Sequence, residues 1–440
     1  MVSEPGRGVD ADRAGFRQAF YIRALNGLGR ALQSSGVAAP ELDADALCAR
    51  ARRRTGLSDW GGDDIAAPLH RLVDALREEA GLSQVGRIAA YLNLLDHLSV
   101  RLRLVDYRAR RPEVARQRIE RPLFIVGLPR TGTTILYELI AQDPAFRAPL
   151  SWEVARPLPP PGVDAAADPR IRGTDRLLGL LEKLAPGFRR IHPVGARLPQ
   201  ECVYLMASSF LSEQYAYMYN VPGYRDWLLR QDMAPAYRWH AAFLQHLQVD
   251  SPRGHWVLKT PAHLAHLDAL LHCYPDAAVV WTHRRPLQAL ASFSSLTTTL
   301  RGAFSDGVDP LRVGPGEWDY HAAVVGRGMA ARQKFDQAQF LDVAFADICA
   351  DPVAVVREIY SHFSLTLGAA AERRMRAYLA GHPRNRFGVH RYTARSFGLE
   401  AAAEQAQFGA YLERFDPWLA AGQAHGATDV QKPSRNLTSD

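Results

Sequence analysis

Residues 123–140, LFIVGLPRTGTTILYELI, limit what this chain can fold into more than any other stretch. Leu123 to Val126 is a short apolar run, of the kind that forms a buried parallel strand. Gly127-Leu128-Pro129-Arg130-Thr131-Gly132 interrupts it. From Ile135 to Ile140 apolar residues fall at helical spacing, and Asp143-Pro144 predicts the end of that helix. Strand, glycine-bounded turn and helix are the layout of a phosphate-binding loop. The G-x-x-x-x-G spacing of Gly127 and Gly132 lets backbone N–H groups surround an anion in front of a helix N-terminus.

The loop departs from its nucleotide-hydrolase version. There a Lys and a Ser/Thr follow the second glycine, and the hydroxyl helps to hold magnesium. Here Gly132 is followed by Thr133 and Thr134, and the cation lies inside the loop as Arg130. The two threonines can donate hydrogen bonds to a phosphate. The loop therefore predicts a donor held by Arg130 and backbone amides, without a magnesium-bound triphosphate.

At these residues the chain resembles the sulfotransferases that use 3′-phosphoadenosine 5′-phosphosulfate (PAPS). Their 5′-phosphosulfate loop reads much like PRTGTT followed by a helix and Asp-Pro. The resemblance implies that Arg130, Thr131, Gly132, Thr133 and Thr134 bind the donor. A second stretch supports it: Val279-Val280-Trp281-Thr282-His283-Arg284-Arg285-Pro286, a strand ending in a cation with a proline opening the next helix. Ser292 follows Arg284 by about two helical turns, roughly 12 Å. In the family an Arg and a Ser so placed bind the 3′-phosphate, which implies that role for Arg284 and Ser292. The usual motif is Arg-Asp-Pro. Arg285 is a departure that either adds a phosphate contact or faces solvent.

A third strand ends in a cation at Trp256-Val257-Leu258-Lys259-Thr260-Pro261, and many sulfotransferases resemble this with Lys-Ser/Thr/Asp-Pro. Sulfuryl transfer needs charge stabilisation at the bridging oxygen and a base for the acceptor proton. Lys259 suits the first task. For the base, the branches of the family that use Glu imply a carboxylate a short distance past the loop cation. Glu153, twenty-three residues past Arg130, is the first candidate and Glu201 the second, with His192 a third. Either carboxylate can instead complement a helix N-terminus. The resemblance also places His390, Tyr392 and Phe397-Gly398-Leu399 in a segment that folds over the nucleotide. It leaves the adenine-stacking residue open, since Ile135 stands where some relatives have Trp.

The predicted architecture is α/β: a parallel central sheet with a P-loop-like phosphosulfate-binding loop, flanking helices and a helical N-terminal extension. Residues 1–120 read as helices, with Phe16, Phe20, Leu25, Leu28 and Leu32, then Leu69, Leu72 and Leu76, then Ile88, Leu92 and Leu95 at helical spacing. Arg50 to Arg54 and Arg101 to Arg111 read as solvated helix faces. Further strands are expected at 256–258, 277–282 and 340–345, followed by helices at 263–273, 287–300 and 351–363. The alternation sets a parallel sheet over residues 121–420. Residues 302–316, rich in Gly and Asp, read as a mobile loop, and 421–440 as a polar, disordered tail. Tyr215, Tyr217, Tyr219, Tyr224 and Trp227 form an aromatic cluster, read as core or as the wall of an acceptor pocket.

With 53 basic and 46 acidic residues the chain carries +7 and a pI of about 9.3, mildly basic with no Lys/Arg block that would mark nucleic-acid binding. The four cysteines, Cys48, Cys202, Cys273 and Cys349, are far apart and predict neither disulfides nor a zinc motif. His263 and His266 are three apart, with no third metal ligand in the local sequence. His283 reads as structural or as a neighbour of the nucleotide. No signal-peptide core and no apolar run of membrane-spanning length predict a cytoplasmic protein.

The expectation is a PAPS-dependent sulfotransferase acting on a hydroxyl of a small molecule, lipid or glycan, releasing PAP, with no metal. Two other readings compete. A P-loop kinase or hydrolase wants Lys after Gly132 and an Asp such as Asp347 at a strand end. A non-catalytic nucleotide-binding scaffold would bind PAP without turnover.

Overall fold

The strands β1 (Leu123–Gly127), β2 (Phe146–Arg147), β3 (His255–Lys259), β4 (Ala278–His283) and β5 (Phe340–Ala344) form one parallel sheet in the order β2-β3-β1-β4-β5. The structure, a computed structural model, describes residues 40–420 together with Phe20, Tyr21, Arg23, Ala24, Asn26 and Gly27; positions 63–64, 163–166, 187, 189–192, 252–253 and 383–392 are excepted. His192, His390, Tyr392, Phe16, Leu25, Leu28, Leu32 and the tail from 421 lie outside the described residues.

Side chains on β1 alternate between two apolar clusters, as the pleat requires. Leu123 and Ile125 join Val257, Val280 and Val343 on one face. Phe124 and Val126 join Trp256, Leu258, Val279 and Trp281 on the other. The helices that matter below are α1 (Ala44–Thr55), α2 (Ala66–Glu78), α3 (Gln84–Arg110), α4 (Thr133–Ile140), α5 (Cys202–Met206), α6 (Ala234–Gln248), α7 (Pro286–Phe304), α8 (Pro310–Arg332) and α9 (Ala402–Arg414). Leu47, Leu69, Leu72, Leu76, Leu94 and Leu98 of α1–α3 are buried in the same cluster as Phe124 and Trp281.

β1 is central. From it the chain runs to β2 and β3 on one side, then crosses to β4 and β5 on the other. A reversal of this kind opens a crevice at the carboxyl ends of the central strands, where open α/β sheets bind ligands.

Several expectations need correction. Residues 302–316 are not a loop: α7 runs to Phe304 and α8 starts at Pro310, leaving only 305–309 between them. The Asp309 side chain accepts from the Leu311 amide at 3.0 Å and caps α8, with Pro310 in the first turn where its missing N–H is harmless. Gly314 is there because α8 lies against residue 397: a Cβ at Gly314 would meet the Phe397 carbonyl oxygen at 1.9 Å. The predicted helix at 263–273 is a 3₁₀ turn, Pro261–His266, followed by a helix, Leu267–Cys273.

Arg101 is not solvated. It is 1 % exposed, donates to the Trp60 and Ser208 carbonyls, and lies over the Trp239 ring at 4.3 Å. Ile88 and Leu92 share the periodicity of Leu95 but face outward, 44 % and 55 % exposed. The inner face of α3 is Ala90, Leu94, Leu98 and Leu102. β2, with two residues, had no apolar run to reveal it.

α7, α8 and the helix Pro222–Leu228 are joined by buried charges. Glu317 accepts from Arg225 at 2.7 Å and from Arg301 at 2.8 Å, and Arg301 also donates to the Ala216 carbonyl. Burial alone would raise the Glu317 carboxyl, but Arg225 and Arg301 outweigh it and hold it at about 2. An unfolded Glu titrates near about 4.3. The folded value is the lower one, so this carboxylate adds stability above about pH 4.3 that is lost as pH falls toward about 2. Glu317→Gln leaves two guanidinium groups buried without their counter-charge. It should destabilise the protein by about 3–5 kcal/mol near neutral pH, with the gap to wild type narrowing in acid. Denaturant titrations above and below that window check this, and a gap that stays constant would refute the ionised assignment.

Candidate active site

The turn after β1 is set by close contact with β4. Gly127 pairs with Thr282 in the register and has φ 145°; a Cβ there would lie 2.5 Å from the Thr282 hydroxyl oxygen and 2.6 Å from its carbonyl oxygen. Gly132, at φ 89°, precedes α4 and lies so near Ile348 that a Cβ would approach its Cδ1 to 2.9 Å. Thr131 is fully buried. Its hydroxyl donates to the Leu128 carbonyl at 2.6 Å and lies 2.6 Å from the Thr282 hydroxyl. The Thr131 side chain therefore ties the loop to the sheet and does not line the cavity in front of it.

Arg130 adopts the left-handed conformation, φ 68°, unusual for a non-glycine residue. Its carbonyl accepts from Arg284 at 2.9 Å, and its Nε donates to the Ser292 hydroxyl at 3.1 Å. The three residues singled out in two separate motifs thus meet. The Arg284 guanidinium also lies over the Phe345 ring at 4.2 Å. The Arg285 side chain, about one-third exposed, pairs with Glu404 of α9, whose other oxygen accepts from the Leu287 amide at 2.9 Å. Glu404 so caps the N-terminus of α7, the helix that carries Ser292.

A cavity of about 300 Å³ opens in front of the loop. Its wall includes polar groups from Arg130, Thr133, Thr134, Arg284 and Lys259, and apolar surface from Phe188, Phe293, Leu296, Leu300 and Phe345, with Tyr204 and Tyr217. In this wall the Lys259 ammonium is 2.5 Å from Glu201 Oε1 and 3.2 Å from the Thr134 hydroxyl, and Thr260 donates to Glu201 Oε2 at 3.1 Å. Lys259 arrives at the end of β3, and Glu201 immediately precedes α5.

Glu153 is elsewhere. It accepts from the Leu150 amide at 2.9 Å, pairs with Arg147 at 3.4 Å, and does not line the cavity. Burial pushes its carboxyl up, with Arg147 opposing. It caps the helix Ser151–Ala155, the structural role that its sequence position also allowed. Asp347 does not line the cavity either, so the magnesium ligand sought by a kinase reading is not supplied there. Phe397 and Leu399 are core residues, and His283 is buried between Asp342 and Tyr411. Of the aromatic cluster, Tyr215, Tyr219 and Tyr224 are core, while Tyr217 reaches the cavity.

Sequence reasoning missed Phe345, Phe188, Tyr204 and the α7 wall. For α7 a signal existed: Phe293, Leu296 and Leu300 recur at helical spacing just beyond Ser292.

A glycine-bounded loop carrying a cation, with a lysine and a carboxylate in the same cavity wall, suits the handling of an anionic group. The chain belongs to the sulfotransferase family, which it matches over residues 122–368, more than half its length. It is similar in structure to sulfotransferase STF1 of Mycobacterium tuberculosis, with 34 % identity, 84 % of this chain and 98 % of that chain covered, and a TM-score of 0.75. Sulfotransferase STF9 of Mycobacterium avium is similar too, with 32 % identity, coverage of 86 % and 97 %, and a TM-score of 0.76. In sequence, omega-hydroxy-beta-dihydromenaquinone-9 sulfotransferase Stf3 of Mycobacterium bovis is 26 % identical over 276 residues, which are 59 % of this chain and 67 % of that protein. Among the described residues no helix is long and apolar enough to cross a membrane.

Gly127→Ala tests the loop geometry. The methyl group must displace Thr282 or move β1, and we expect a loss of about 1–3 kcal/mol in stability, the usual range for overpacking. Equilibrium denaturation measures it; a stability equal to wild type would show that β1 and β4 separate freely at this point.

Proposed function

We propose that the protein transfers a sulfuryl group from PAPS to the hydroxyl of an apolar small-molecule or lipid acceptor. The observation that carries this reading is the Lys259–Glu201 contact, in the wall of a cavity that a cationic loop and apolar side chains both line. Arg130, the loop amides, Thr133 and Thr134 suit the 5′-phosphosulfate, and Arg284 suits the 3′-phosphate, with Ser292, buried outside the cavity wall, holding the Arg130 guanidinium beside it. Phe345, already stacked on a guanidinium in the cavity wall, is a candidate face for adenine.

In this proposal the acceptor oxygen forms a bond to sulfur while the sulfur–oxygen bond to the 5′-phosphate breaks. Lys259 stabilises the charge that develops on the departing oxygen. Glu201 takes the acceptor proton, in preference to Glu153, whose oxygens are engaged in a helix cap away from the cavity. The apolar acceptor follows from Phe188, Phe293, Leu296 and Leu300, which offer surface for hydrocarbon and nothing to pair with a second charge. The name of the Stf3 relative, a sulfotransferase of an omega-hydroxylated menaquinone, agrees with an acceptor of this class.

Glu201→Gln should lower turnover by about 10²–10⁴-fold, the size of a general-base contribution, while PAP affinity holds. Labelled PAPS with a panel of long-chain and ring-bearing alcohols supplies the assay, and Glu153→Gln is the control that keeps its turnover. Loss of turnover in the control alone would reverse the two roles. For the donor, calorimetry should show PAP bound far more tightly than AMP, and Arg284→Ala or Ser292→Ala should remove most of that gap. Equal binding of PAP and AMP by the wild type would sink the PAPS assignment.

A further inference from the structure

Cys202, the residue after Glu201, buries its thiol in the core beside two imidazoles. Cys202 and His240 are 0 % exposed and His263 is 1 % exposed. One ligand-type atom from each lies within 4.8 Å of those of the other two. The three come from α5, α6 and the 3₁₀ turn after β3, so no linear spacing announced them.

The imidazoles are oriented. His240 Nδ1 is 2.7 Å from the Tyr274 hydroxyl, and His263 Nδ1 is 2.8 Å from the Tyr237 hydroxyl. That leaves the Nε2 atoms, both buried and both without a hydrogen-bond partner. A buried imidazole nitrogen left unsatisfied is destabilising, and two on rings whose centroids are 6.0 Å apart need an explanation. A hydroxyl on Nδ1 of each histidine, with Nε2 unpartnered, is compatible with the tautomer that ligates through Nε2. Burial keeps both rings neutral, the ligating form, and pushes the Cys202 thiol up, so the thiol gives up its proton only in exchange for a metal.

We propose that Cys202, His240 and His263 form a binding site for one soft monovalent ion, Cu(I). Binding replaces the thiol proton, which leaves to solvent, by a metal–sulfur bond, and the two Nε2 lone pairs complete the set. One thiolate, two neutral rings and a monovalent ion sum to zero charge, which a dry core tolerates; a divalent ion would leave a net positive charge there. Zinc also takes four ligands in structural sites, and the group found among the described residues offers three. Thiolate and imidazole are ligands that suit copper in its lower oxidation state. The ring of Phe124, 5.1 Å from His263 and 5.3 Å from Tyr274 between centroids, walls the site. Cys202 directly follows Glu201, so an ion here would be one residue from the Lys259–Glu201 pair without touching the reacting groups.

The test uses the full chain with Cys48, Cys273 and Cys349 changed to Ser, so that Cys202 is the sole thiol. Under anaerobic conditions the protein competes with a chromogenic chelator for Cu(I). The expected result is one copper withdrawn per chain, a raised thermal midpoint, and an X-ray absorption spectrum with one sulfur and two nitrogen neighbours. Adding Cys202→Ala should abolish the withdrawal. The proposal is overturned if the chelator keeps all the copper, which would leave a polar cluster only. Copper without sulfur in its shell, or retention of Zn(II) in preference to Cu(I), would overturn it as well. The absorption spectrum of the parent decides the matter even if Cys202→Ala does not fold.

Discussion

The contact between Gly127 and Thr282 is the constraint on which the rest of the active site depends. A side chain at 127 would hold β1 and β4 apart at their carboxyl ends, where the loop turns. With glycine there, the Thr282 hydroxyl reaches Thr131, and Thr131 closes the loop onto the Leu128 carbonyl. That closure fixes the left-handed turn at Arg130, whose carbonyl is then within reach of Arg284. The loop cation, the β4 cation and Ser292 are thus assembled by a single interstrand approach, before any ligand contributes. Such preorganisation removes reorganisation from the binding step.

Much of this was legible in the sequence, for a physical reason. Strands covered on both faces are mostly apolar, so β1, β3, β4 and β5 stand out as short apolar-rich runs, β3 and β4 ending in Lys259 and His283. Glycines forced by close approach cannot drift, and proline marks helix starts after β3 and β4. The choice between the two carboxylates was not legible. Buried Glu153 and part-buried Glu201 both lie near helix starts, and distance along the chain from Arg130 puts first the one that does not line the cavity. Glu201 reaches Lys259 because the connection before it is laid beside residue 150, with Leu150 and Pro199 bridged and the Gln200 amide donating to the Pro149 carbonyl. No local pattern encodes that return. The same holds for the Cys202, His240 and His263 group, whose members meet only through tertiary packing.

The apolar chamber rests on charges hidden behind it. Tyr217 in its wall donates to Glu213, a buried carboxyl raised by burial, with Tyr320 and Arg225 among the groups that lower it. Arg225 in turn binds Glu317, which also holds Arg301 of α7. The wall residues Phe293, Leu296 and Leu300 lie on the same helix. Pairs of this kind add little net stability but penalise misplacement severely, because breaking one strands a charge in the core. The chamber is therefore rigid at the charged side of its wall, and its shape is set by residues that no apolar pattern would single out.

The cap that Glu404 places on α7 spans 117 residues of chain. A protein made on the ribosome emerges from its N-terminus, and domains fold as their segments appear. β1, β3 and β4 can pair long before residue 404 is synthesised, so a nascent chain can hold its finished sheet while α7 still lacks its cap and Arg285 its partner. The helix bearing Ser292 is secured only when the last elements dock. Assembly thus ends at the start of the helix that carries Ser292, and a chain cut short before α9 would keep its strands and lose the clasp on that helix.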